Sequence, residues 1–329
     1  MSDAVLNPSF LSSAFQHVKE NHSGAGVDGV TIERFEEDLT ATLNCLAQEL
    51  RDKTYAPLPL LKILVDKGNG EGRALCIPTV GDRVVQTAVL QAIESILEKE
   101  FEDCSFGYRK GRSVRQAVHR IKEYFEQGYR WVVDADIDSF FDSVDHATLM
   151  EKVKKYIADD DIVRLIGTWI AAEVWDGKSI TTLKKGIPQG SPVSPILANL
   201  FLDGLDETLL KQNQKIVRFA DDFVVLCRSP EKAEEALEIT NDVLSRLHLI
   251  LDESDIVSFD HGFKFLGVTF CRSLVMVPFD REKKERRVLY YPPPFDMQAY
   301  RSQKSCVMSR GKEGASKSDK SGVMSDKEL

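Results

Sequence analysis

Two adjacent carboxylates, Asp221 and Asp222, follow Phe219-Ala220 between the apolar runs Ile216-Val217-Arg218 and Phe223-Val224-Val225-Leu226-Cys227. Two β-rich runs about a tight polar pair predict a hairpin, with both carboxylates at its turn. Neighbouring side chains on a strand diverge, but at a turn the backbone twists and both can line one small volume. Two hard oxygen donors suit Mg²⁺ better than Zn²⁺. A lone Asp-Asp has a plainer reading, because Asp favours turns for its own hydrogen bonding. A second acidic run changes the weighing. In Val132-Val133-Asp134-Ala135-Asp136-Ile137-Asp138 an apolar strand ends in alternating aspartates, and Asp134, Asp136 and Asp138 share one face by period two. Alone, that is a solvated strand end. With Asp221 and Asp222 it becomes a set that can hold two Mg²⁺ ions, which stabilise the attacking and leaving oxygens of in-line nucleotidyl transfer.

Between the clusters lies Lys185-Gly186-Ile187-Pro188-Gln189-Gly190-Ser191-Pro192-Val193-Ser194-Pro195. Its glycines allow close backbone approach and its prolines stiffen the path. Gln189 offers an amide to a base or a sugar. The elements that must carry these residues follow from periodicity. Residues 10–50 read as helical, broken by the glycine-rich loop at 24–29. Strands are expected at 60–65 and 73–77, then helices at 80–99 and 113–127, and a strand at 130–137. Residues 147–172 read as mostly helical. A helix capped by Ser194, with Pro195 at its first position, leads into the Asp-Asp hairpin. A helix at 230–247 and strands at 255–259 and 263–270 close the compact part. The last ~25 residues are too polar to pack and read as disordered.

The 329 residues are 43% hydrophobic, enough for a core and for about two domains. No apolar run is long enough to cross a membrane, and the first residues do not read as a secretory signal. Six scattered cysteines without a CxxC pair indicate neither a disulfide framework nor a zinc site. Reduced thiols in the cytoplasm are the simplest expectation. The net charge is −9. Residues 281–329 carry 12 Lys/Arg against 7 Asp/Glu, so the acidity lies upstream. That disfavours a strongly electrostatic grip on large structured RNA, while leaving room for a local basic groove.

Asp136-Ile137-x-x-Phe140-Phe141, Gly186-Ile187-Pro188-Gln189-Gly190-Ser191-Pro192, Phe219-Ala220-Asp221-Asp222 and Phe265-Leu266-Gly267 occur in the order of the reverse transcriptase motifs. Upstream, Gly26–Val30, Arg73–Gln86 and Phe106–Ser113 also resemble the bacterial, group II intron-like branch of that family. The resemblance spans roughly residues 24–270. It implies an α/β right-hand polymerase: fingers with an N-terminal helical region at 1–129, a palm of antiparallel strands backed by helices at 130–272, and a truncated thumb or linker at 273–329. The implied activity is RNA-directed DNA synthesis from a DNA or RNA primer and dNTPs.

The same resemblance implies roles. Asp136, Asp221 and Asp222 would hold two Mg²⁺ ions (or Mn²⁺), assisted by the Ile137 carbonyl. Phe141 falls where the family keeps a ring that clashes with a ribose 2′-OH; otherwise it is a core aromatic. Lys67 and Arg73 fall where the fingers hairpin clamps the triphosphate, and Gln189 where template or incoming nucleotide is touched. Arg109, Lys110 and Arg112 would lie near the template backbone, or form a solvated basic loop. Three departures stand out: Phe219 replaces the commoner Tyr, a Lys-Thr pair before Phe265 is missing, and little chain follows Gly267. The missing lysine is a candidate general acid, whose role would pass to another cation such as Lys264. Arg281–Pro294 resembles a segment of CRISPR-associated reverse transcriptases, which implies a prokaryotic defence or spacer-acquisition setting with Cas1/Cas2-type integrase partners. The competing reading is a catalytically weak nucleic-acid-binding or assembly module.

Overall fold

The computed structural model describes residues 5–66, 68, 70–277 and 287–302. It divides into two units, Met1–Pro292 and Pro293–Leu329. Of the second, residues 297–302 are helical; the polar tail beyond 302 lies outside the described residues.

The first unit begins with helices Pro8–Glu20, Ile32–Glu37 and Leu39–Arg51, followed by strands β1 (Leu60–Asp66) and β2 (Gly72–Ile77) and helix Val80–Leu97. Helix Val114–Glu126 precedes β3 (Trp131–Ile137), a short turn of helix at Phe140–Ser143, and helices His146–Tyr156 and Asp160–Ile170. Next come β4 (Glu173–Trp175), β5 (Ile180–Thr182), helix Ser194–Lys211, β6 (Lys215–Phe219), β7 (Asp222–Cys227) and helix Pro230–Arg246. The unit ends with β8 (Leu251–Ser258), β9 (Phe263–Phe265), β10 (Val268–Cys271), β11 (Leu274–Met276) and β12 (Val288–Tyr290). Side chains of Asn7, Thr79, Ser113, Asp145, Asp159 and Ser229 accept first-turn N–H groups of the helices they precede, which fixes where those helices start.

The central sheet runs β6-β7-β3-β8. On one face Val133, Ala135, Ile137, Phe223 and Val225 join the main core, which includes Leu197, Phe201, Ala233 and Ala236 of the two flanking helices. On the other, Val132, Val217, Val224 and Leu226 pack with Ala117, Ile121 and Phe259. A second sheet holds β1 between β2 on one edge and β4 and β12 on the other. This is the mixed α/β, antiparallel arrangement expected of fingers and palm.

Three details differ from the sequence expectations. The strand expected over 263–270 is broken: Leu266 and Gly267 have φ of +52° and +74°, and β9 folds back on β10. Positive φ at both loop positions is the tight hairpin turn that matches strand twist. Ser194 lies inside its helix and Val193 is the cap residue, without a side-chain bond. Finally, Val288–Tyr290 returns to the second sheet and pairs with β1 at Leu64 and Val65.

Candidate active site

β3 and β7 pair antiparallel from Trp131↔Cys227 to Ala135↔Phe223. Asp136 and Asp222 come one step beyond that last pair and, continued in the same register, would face each other. Facing residues of such a pair have Cβ atoms ~5 Å apart. β6 and β7 pair out to Phe219↔Asp222, leaving Ala220 and Asp221 as a two-residue loop. Ala220 takes φ +63°, the position usually given to glycine in such a turn. The carboxylates feel one another. Burial, then Asp221, Asp136 and Asp134, push the Asp222 carboxyl up to about 6. Burial also raises Asp221, against the pull of Arg73. One pleat back, Asp134 faces Asp255 of β8, and burial with that like charge pushes it up to about 6.

A buried network holds the turn in place. Arg218 is fully buried, and its Nε donates to both carboxylate oxygens of Asp206 at 2.9 and 3.0 Å. Its Nη1 donates to Asn199 Oδ1 and to the Ala220 carbonyl, each at 2.9 Å. Asn199 Nδ2 donates in turn to the Gly107 carbonyl at 2.8 Å. A Cβ at Gly107 would overlap the Ala220 backbone nitrogen. Thus helix Ser194–Lys211, the 101–112 segment and the Asp-Asp turn lock together.

Over the carboxylates opens a cleft of two adjoining hollows, about 650 and 800 Å³, whose walls share Arg73, Tyr108, Phe141 and Gln189. Arg73 Nε donates to Gln189 Oε1 at 2.6 Å. The Gln189 loop is stitched at both ends. Cys76 N–H donates to the Gln189 carbonyl at 2.7 Å, and Gly190, at φ +115°, leaves no room for a side chain against the Cys76 carbonyl. Ile187 N–H donates to the Phe141 carbonyl at 2.7 Å. Phe141 is 5% exposed, packed edge-on against Phe140, and still part of the cleft wall.

The chain matches the reverse transcriptase (RNA-dependent DNA polymerase) family over residues 65–270. It belongs to the reverse transcriptase family. Protein YkfC of Escherichia coli K12 is 31% identical, with 80% of each chain covered. The group II intron-encoded protein LtrA of Lactococcus lactis is 34% identical over 73% of this chain, which spans 38% of LtrA's length. A telomerase structure from Candida albicans shares the fold, with a TM-score of 0.54 at 14% identity, covering 68% of this chain and 47% of that one. A chain of a Cas6-RT-Cas1–Cas2 complex is 28% identical over 75% of this chain and 41% of that one, with a TM-score of 0.46. As a group II-like reverse transcriptase, the protein is an RNA-directed DNA polymerase. Among its described residues no helix is long and apolar enough to cross a membrane.

The expected site residues of this reverse transcriptase separate into three groups. Asp136, Ile137, Asp221, Asp222, Arg73, Phe141 and Gln189 all line the cleft. Lys67 lies outside the described residues. The basic loop lies apart from the cleft wall. Arg109 is turned inward, donating to Glu98 at 2.7 Å and to the carbonyls of Glu102 and Ser105 at 2.6 and 2.8 Å. A guanidinium whose donors are so engaged is an anchor for the loop rather than a contact for the template backbone. Arg112 is tied to Asp103 at 2.6 Å over the Phe106 ring, whereas Lys110 is exposed. Lys264 lines neither hollow. Asp252 of β8 faces the cleft instead, so no cation of β8 or β9 enters the site in place of the missing lysine. Sequence reasoning overlooked Tyr108, Asp252 and Arg287 as cleft residues. Tyr108 sat within a quoted motif, but Arg287 carried no signal, because its place depends on β12 returning to β1.

Among the described residues no three His, Cys, Asp or Glu side chains form a ready-made metal cage. The paired carboxylates nonetheless suit a hard divalent cation such as Mg²⁺. That ion keeps several waters and takes one or two carboxylates together with substrate phosphates, so it requires no all-protein cage.

Proposed function

We propose that this reverse transcriptase extends a primer on an RNA template by two-metal nucleotidyl transfer, with Asp136, Asp221 and Asp222 holding two Mg²⁺ ions. Asp136, Asp221 and Asp222 lining one hollow, at the adjoining ends of β3 and β7 and on the loop between β6 and β7, is the observation that supports this reading most. When bound, the ions would activate the primer 3′-OH and neutralise the triphosphate. The chain's own groups do the rest. The Ile137 carbonyl completes the donor set at the strand end. Arg73 presents a planar fork of donors for phosphate, and Gln189 orients that fork. Phe141 walls the sugar side and rejects a 2′-OH sterically. Lys110 and Arg112, which line neither hollow, would contact the template backbone outside the cleft, and Lys67 would join Arg73 at the triphosphate.

For the setting, we place the enzyme in prokaryotic defence, with Cas1- and Cas2-type integrase proteins as candidate partners. The support is the sequence resemblance of Arg281–Pro294, and co-purification from a host carrying those proteins tests it. The polymerase reading is tested by primer extension on an RNA template with dNTPs and Mg²⁺. Wild type extends and Asp222→Ala does not. Equal extension by both, or none by wild type on any template or primer, defeats the reading.

A further inference from the structure

We infer that Tyr108 is a nucleobase platform: its ring stacks on a base of the template strand or of the incoming nucleotide beside the catalytic carboxylates. The inference rests on the polymerase reading above. Tyr108 is 55% exposed, yet it belongs to the wall of both hollows of the cleft. A large aromatic side chain half open inside a cleft offers a flat apolar face to whatever enters. Its backbone carries a second sign. Tyr108 takes φ +57°, a left-handed conformation that is an outlier for a bulky side chain. Such strain persists where the surroundings over-determine it, and it gathers at ligand sites.

The surroundings do over-determine it. On one side, the Gly107 carbonyl accepts from Asn199, and its Cα is pressed against the Ala220 backbone. Arg218 ties the same Asn199 to the catalytic turn. On the other side, Arg109 is buried and bound to Glu98, Glu102 and Ser105. Both neighbours of Tyr108 are anchored inward, and the ring between them is carried at a fixed station relative to Asp221 and Asp222. A rigid aromatic face at that station matches the chemistry of base stacking. Stacking tolerates every sequence, because every base has a π-face. A polymerase that must accept any template needs that property.

The test uses the full chain with Tyr108→Asn, Tyr108→Phe and Tyr108→Trp. Asn tolerates the left-handed backbone, so it removes the ring while sparing the fold. The expected result for Tyr108→Asn is a rise of roughly tenfold in the KM for dNTP or in the Kd for primer–template. The Phe and Trp variants stay within about twofold of wild type, because the ring and not the hydroxyl carries the contact. A fluorescent base analogue gives a readout that a structural role would not move. Placed in the template, or supplied as the incoming nucleotide, it is quenched by wild type and Tyr108→Phe but not by Tyr108→Asn. The arm that shows the quenching identifies which base the ring covers. Wild-type KM, Kd and quenching in Tyr108→Asn would overturn the proposal. So would a loss in Tyr108→Phe equal to that in Tyr108→Asn. Quenching needs binding and no turnover, so a wild type that fails to extend sinks the polymerase reading while the stacking result still stands or falls by itself.

Discussion

Arg73 and Gln189, which lie 116 residues apart, meet across the cleft in a hydrogen bond of 2.6 Å from Nε to Oε1. One comes from strand β2 and the other from the loop before helix Ser194–Lys211. The bond uses a single edge of the guanidinium, which leaves the terminal nitrogens for the phosphate contact proposed above. Gln189 itself is held by Cys76 through its backbone, so it is a fixed post against which Arg73 is aimed.

Removing the post tests the aim. Gln189→Ala is expected to raise the KM for dNTP by roughly tenfold, the worth of one hydrogen bond to a charged group. Arg73→Lys loses the fork as well and costs at least as much. Steady-state kinetics at saturating primer–template read both. A KM unchanged in Gln189→Ala would show that Arg73 finds its position unaided.

Asp222→Asn separates catalysis from stability. The substitution removes a donor from the carboxylate set, so primer extension falls to background. It also removes an anion that burial and three neighbouring carboxylates disfavour. Melting in EDTA near neutral pH is therefore expected to show a more stable protein, by about 1 kcal/mol once the side chain's solvent exposure is discounted. An inactive variant that is also less stable than wild type would contradict the mutual repulsion assigned to this cluster.

The same carboxyls set a pH dependence with a definite sign. Asp222 and Asp134 stand at about 6 in the fold against 3.8 for the free side chain. The fold thus favours their protonated forms. The stability they contribute is fully present below about pH 4 and is lost as pH rises through about 6. Divalent ions require the charged forms, so their binding strengthens over the same interval. Melting curves in EDTA and in Mg²⁺ between about pH 5 and 8 should diverge as pH rises, Mg²⁺ stabilising most at the alkaline end. A gap that stays constant across that range would disconnect these carboxyls from the metal.

That the carboxylates and the Gln189 loop meet at one cleft was legible because their signals are local: period two at Asp134, Asp136 and Asp138, a turn at Asp221, and stiff residues around Gln189, whereas Phe141 stood out only through the family resemblance. Partner choice was not legible. Arg109 looks like any cation of a basic loop until Glu98 and the carbonyls of Glu102 and Ser105 surround it. Leu266 has every property of a strand residue, and only the return of β10 onto β9 forces its positive φ. Arg287 reaches the cleft because β12 pairs with β1, a contact between segments more than two hundred residues apart in sequence.

Phe141 is a core ring and, in the proposed function, also a wall for the sugar, and a pair of substitutions can divide the two. It is buried, so Phe141→Ala should destabilise by about 3–5 kcal/mol through the cavity it leaves. Phe141→Val leaves a smaller void. Both open the cleft wall, and under the proposed role both should increase ribonucleotide incorporation relative to deoxyribonucleotide. Competition assays at a temperature where Phe141→Val stays folded measure the ratio. Unchanged discrimination would reduce Phe141 to a core residue.

The buried pair Arg218 and Asp206 links fold to turn, and its dissection distinguishes the two effects. Both side chains are fully buried, with the closest approach 2.5 Å. Removing one partner strands a charge, so Arg218→Met should cost about 3–5 kcal/mol. Replacing both, Arg218→Met with Asp206→Leu, should recover much of that loss, because no uncompensated charge remains. The Ala220 carbonyl, however, loses its donor in the double variant too. The Asp221 loop is then held by fewer bonds, and the protein should melt near the wild-type temperature while extending primers more slowly. Thermal melting and kcat on one preparation give both readings. A double variant that recovers stability and full kcat together would show that the turn keeps its geometry without Arg218.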